Sequence, residues 1–152
     1  MPGSNNFCDT TACIDYIATN VMPNVVPPAG MTINAIYPYE VDAIPNFPSI
    51  AIVDMGLRRA YSGSHMFTLE LNVRLVVMHG KLSDPAATRQ QKELQLARSV
   101  TLALHRDRQL GGNIVQGWVA KDVQGTLASQ DSGAIKCSFL DWIGEAREVD
   151  DT

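Results

Sequence analysis

Residues 66–78, MFTLELNVRLVVM, alternate apolar and polar over thirteen positions. Phe67, Leu69, Leu71, Val73, Leu75 and Val77 fall on one side of an extended chain. Thr68, Glu70, Asn72 and Arg74 fall on the other, and Val76 and Met78 then turn that second side apolar as well. Period two is the signature of a half-buried strand. At roughly 3.3 Å per residue this one extends about 40 Å, whereas an ordinary strand has about 5–6 residues. A chain with such a strand must supply partners of similar length or leave its ladder open.

The flanking sequence predicts what those partners are. Residues 1–8 carry turn-formers and read as an arm. Ile14, Ile17, Ala18 and Val21 recur at helical spacing, which predicts a helix over about 10–22, capped by Asp9, Thr10 or Thr11 and ended by Pro23. Six of the eight prolines then lie between positions 23 and 48, so no long helix fits there. MTINAIYPY (31–39) and SIAIVDM (49–55) read as short strands around a loop, EVDAIPNFP. GLRRAYSGS (56–64) reads as a connector into the long strand. The segment 83–112 is the clearest helix, with Asp84 as cap, Pro85 in the first turn and a stripe of Leu96, Ala97, Val100, Ala103 and Leu104 flanked by Leu94 and Thr101. Gly111 and Gly112 stop it, and His105, Arg106 and Arg108 suit the negative end of its dipole. NIVQGWVAKDV (113–123) and GAIKCSFLDWI (133–143) read as strands joined by a polar turn. Leu140 and Trp142 break the phase of Ile135, Cys137 and Phe139, which predicts a bulge or an end covered on both faces. The acidic tail, EAREVDDT, is expected to fray.

The order is therefore α-β-β-β-α-β-β: one α+β domain with a mainly antiparallel or mixed sheet, helices on one face and one long strand. A chain of 152 residues suits a single core. Charged residues make up only 18% of it, below the usual ~25%, which is consistent with surface covered by other copies of the chain. The net charge of -4 argues against a dedicated nucleic-acid binder. Cys8, Cys13 and Cys137 form no disulfide framework, and no stretch has the ~20 apolar residues of a membrane span, so the expected compartment is a reducing cytoplasm.

Catalytic patterns are missing from the sequence. His65 and His79 bracket the long strand about 45 Å apart and read, like His105, as solvated or capping groups. Cys8 and Cys13 lack a second ligand pair, and Cys137 reads as a small buried hydrophobe. No nucleophile elbow, phosphate loop or paired-histidine zinc motif occurs. The expectation is a non-enzyme without metal or cofactor. Two stretches stand out as contact surfaces. Arg58 and Arg59, flanked by Tyr61, would form a mobile basic loop able to meet DNA or an acidic neighbour. Tyr37, Tyr39, Ile44 and Phe47 place apolar groups in loop sequence, either as a lid on the chain's own core or as an interface with another subunit.

Taken in order, "FPSIAIVDMG", "HMFTLELNVRLVVMHG", "DPAATRQQKELQLARSVTLAL", "LGGNIVQGWV" and "AIKCSFLDWIGE" resemble the tail terminator (tail-completion, head-to-tail joining) proteins of long-tailed phages, over roughly residues 10–143. The order and spacing of these pieces carry the resemblance. It implies a six-membered ring that caps the tail tube and presents a surface to the head connector. The partners implied are further copies of the chain, the tube protein, the connector and, transiently, DNA passing through the lumen. The virion is the implied location, after assembly in the host cytoplasm. The resemblance would turn Arg58 and Arg59 toward the lumen or the tube. Another neck or tube-joint protein, or a small non-catalytic binding domain, are the competing readings.

Overall fold

A computed structural model describes residues 10–39, 46–63, 66–81, 86–129 and 133–149. Its centre is a five-stranded mixed sheet in the order β1-β2-β3-β5-β4. The strands are β1 (Ala35–Tyr37), β2 (Ser49–Gly63), β3 (Met66–Lys81), β4 (Gln116–Ser129) and β5 (Gly133–Val149). The helices are α1 (Thr10–Tyr16) and α2 (Ala86–Arg106). Only the short β1–β2 pair is parallel. The α+β class and the strand count match the sequence-based expectation.

The long strand finds partners of its own length on both sides. β3 pairs with β2 from Ser49↔Met78 to Gly63↔Met66, and with β5 from Lys81↔Ile135 to Met66↔Val149. Two expectations are corrected here. Residues 56–63 are not a mobile connector but the second half of β2, a strand of 15 residues. Residues 144–149 do not fray but complete β5, a strand of 17 residues. In both cases the ladder of β3 supplies the hydrogen bonds that local sequence does not promise. The same effect carries β4 through residues read as a turn, 124–129. The two helices of the sequence reading are also adjusted: α2 ends at Arg106, short of Gly111, and residues 107–113 form turns. α1 is shorter than 10–22, passing into a π-helical turn at Ile17–Val21 and a 3₁₀ turn at Met22–Asn24. Among its described residues, the proline-rich stretch between positions 25 and 48 yields as strand the three residues of β1. Asp84 and Pro85 lie outside the described residues, as do Ile44, Cys8 and His65.

Three strands carry bulges. β2 has two, between Asp54 and Gly56 and between Tyr61 and Gly63; β3 has one between Met78 and Gly80, and β4 one between Val119 and Lys121. Gly56 has φ +117°, a conformation that resists side chains and lets β2 resume its register. β5 pairs without a break on its β3 side from Cys137 to Val149, so the phase change at Leu140 is not a bulge in that strand. It marks a strand covered on both faces.

The two faces hold separate cores. On the helix side, Leu69, Leu71, Val73, Leu75 and Val77 of β3 are buried with Ile50, Ile52, Leu140 and Trp142. Against them pack Cys13, Ile14 and Ile17 from the N-terminal helix and Leu96, Ala97, Val100, Ala103 and Leu104 from α2. This is the helical stripe expected from sequence, though Leu94 beside it is exposed. On the opposite face a smaller cluster forms from Ala51, Val76, Met78, Ile135 and Cys137. Gly117 and Gly144 lie against the ring of Trp142, which an added Cβ at either position would overlap. Leu110, Gly111 and Gly112 take positive φ after α2 and redirect the chain into β4.

Candidate functional site

The surface lacking a helix is the part of the molecule that needs an explanation. Its base is apolar and partly lidded. Tyr37 and Phe47 pack half-buried on the second cluster, beside Val53 and Phe139. They act as the lid on the chain's own core, one of the two alternatives open from sequence. Tyr39 differs: it is 59% exposed and packs on Tyr37 with the rings tilted, at 5.9 Å between ring centroids.

Higher up, the same face turns polar. Arg74 donates two hydrogen bonds to Asp141, at 2.8 and 3.4 Å, and lies 5.6 Å from the centroid of Phe139. The hydrogen bond that Arg74 donates to Asp141, opposed by partial burial, raises the Arg74 pKa. Above the pair is a depression of about 500 Å³ bordered by Met55, Asn72, Lys121 and Ile143. Its one guanidinium, Arg74, is already matched by Asp141.

At the far end of the sheet stand the residues singled out from sequence. Arg58 faces Glu70 across the ladder and forms an ion pair at 3.5 Å, with side-chain exposures of 81% and 39%. Such a pair contributes about 0–1 kcal/mol. Arg59 lies opposite Leu69 and Tyr61 opposite Phe67, so both belong to the helix-side face. The strand therefore separates the two adjacent arginines onto opposite faces, which a loop would not. Tyr61 is 68% exposed and packs edge-to-face on Phe67 at 5.6 Å.

Two histidines have structural partners that the sequence did not signal. The bulge in β3 places His79 Nε2 2.7 Å from Ser138 Oγ, and Gln124 Nε2 donates to the same oxygen at 2.7 Å. Ser138 is completely buried, so no substrate carbonyl can approach its oxygen. The pair links β3, β4 and β5 and is not an activated nucleophile. His105 Nε2 accepts the Val119 N–H at 3.0 Å, joining the end of α2 to β4. Burial, then the charge of Arg108, lowers its pKa, which favours the neutral ring that can accept this bond. Burial pushes the Cys137 thiol up to about 12, keeping it protonated and inert. Cys13 is buried in the main core.

Among the described residues, no group of three or more His, Cys, Asp or Glu side chains is placed to share a metal ion. None of their helices is long and apolar enough to cross a membrane. No family model and no curated protein matches the chain.

Proposed function

We propose that this protein is a structural component of a phage tail, of the tail terminator type, that assembles into a ring, six-membered in that family, and joins the tube to the head connector. The observation that carries this reading is the sheet of four long strands, β2–β3–β5–β4, whose two outer edges are open for most of their length among the described residues. β1 covers only Ser49–Ala51 of β2. A monomeric protein normally shortens or shields such edges, whereas an assembling one presents them to neighbours. The resemblance in element order supplies the particular assembly. Arg58 and Tyr61, exposed at the tip of the β2–β3 hairpin, and Arg59 beside them would meet the tube or the passing DNA. Tyr39 would meet an adjacent subunit. The chain acts by shape and needs no cofactor.

The test is to mix purified protein with tail tubes that lack both terminator and connector. The expected result is one disc at the growing tube end in electron micrographs, and tubes that stop lengthening when tube protein is added. Tubes that remain uncapped and continue to grow would overturn the reading. Arg58→Glu with Arg59→Glu is expected to weaken capping while leaving the fold intact, because both side chains lie on exposed strand positions.

A further inference from the structure

The outer edge of β4 is divided by a side chain that does not belong to the strand. His105 reaches from α2 to take the N–H of Val119, and the adjacent bulge at Ala120 breaks the register. An added strand therefore cannot run along the whole of β4. What remains is a regular segment from Lys121 to Ser129, paired with β5 on its inner side and open on its outer side among the described residues. On the face away from the helices this segment exposes Val123, at 42%, and Leu127, at 37%.

We propose that this edge binds a second copy of itself, antiparallel, about a two-fold axis through Gly125. In that register Val123 of each copy lies opposite Leu127 of the other. The two apolar pairs flank the two central glycines and continue the apolar surface of Phe139 and Ile135. Lys121 comes opposite the Ser129 position and Asp122 opposite Ala128, so no like charges meet. The segment carries one positive and one negative charge, a neutral strip in a chain of net charge -4. Moving the axis to position 124 sets Leu127 against Lys121 and Val123 against Gly125. Moving it to 126 sets Leu127 against Gly125. Moving it to 123 requires pairing beyond Lys121 into the bulge. Only the axis at 125 matches both apolar side chains and keeps to the window that His105 leaves open.

A nine-residue strand pair with its flanking side chains buries on the order of 1,000 Å², at the lower limit for a specific interface, so dimerisation is concentration-dependent. The two-fold pair is independent of the ring reading. A ring keeps all copies pointing the same way along its axis, whereas this pair reverses one of them. It describes the protein in solution, away from a tail.

Two experiments decide it. In sedimentation velocity over a wide concentration range, the chain is expected to pass from monomer to dimer. Val123→Lys is expected to weaken that association at least ~10-fold, while Leu102→Lys on the exposed side of α2 leaves it unchanged. With Cys8→Ser as background, the double variant Val123→Cys, Leu127→Cys is expected to form disulfide-linked dimers on mild oxidation. Opposed residues lie about 4.5–5.5 Å apart, within disulfide reach, but like-numbered residues lie about 13 Å apart. Each single variant should therefore cross-link poorly. A monomer at every concentration, an oligomer indifferent to Val123→Lys, or single variants that cross-link as well as the double one would overturn the proposal.

Discussion

The two faces of the sheet are built on the same strands yet are buried very differently. On the helix side every odd position of β3 from Leu69 to Val77 is buried. On the other side burial is confined to Val76 and Met78, and Glu70, Asn72 and Arg74 stay half-buried. The contrast shows where stability and contact are divided within one domain. One face is a continuous core sealed by α1 and α2. The other is a core only at its base, under Tyr37 and Phe47, and above that a polar surface with a few exposed apolar groups.

The largest expected effect tests whether the helix side dominates stability. Leu75→Ala removes a fully buried side chain there and should cost about 3 kcal/mol. Val76→Ala, its neighbour on the other face, should cost about 1 kcal/mol in denaturant titration. Equal losses would show that the smaller cluster contributes as much as the larger one. Gly117→Ala would drive a Cβ into Trp142 and should destabilise by about 2 kcal/mol, with a changed indole fluorescence spectrum. An unchanged melting curve would mean that the ring has room to move.

On the polar half, Asp141→Ala should cost only about 1 kcal/mol, because the Arg74 pair is partly exposed. A loss like that of Leu75→Ala would remove the distinction between the two halves. The smallest effect concerns pH. The His105 pKa is lowered in the fold, so the unfolded chain binds more protons, and His105 contributes stability that is present above its unfolded value, about 6.5. That stability is lost as pH falls through 6.5 toward the folded pKa. His105→Gln should flatten this part of the stability–pH curve, measured by chemical denaturation between pH 7.5 and 5.

Much of this division is legible in the sequence, because period two is local information. The alternation of β3, its switch at Val76 and the stripe along α2 all follow from residue order, whereas α2 ends at Arg106, short of the expected stop at Gly111–Gly112. The tertiary structure decided how far the other strands extend. Gly56, the pair Arg58–Arg59 and the run Ser62–Gly63 look like loop sequence, and Glu145–Val149 looks like a frayed tail. Each becomes strand because β3 lies beside it with unsatisfied backbone groups, and satisfying them outweighs weak local propensity. The functional surfaces show the same limit. Sequence identified Arg58, Arg59 and Tyr61 but not their faces, which depend on cross-strand register. It gave no sign that His105 would reach Val119, a contact set by how α2 packs on the sheet. The amino-acid order thus specified which residues are buried together, and only the assembled sheet determined which edges remain open, since an edge is defined by the strand that is not beside it.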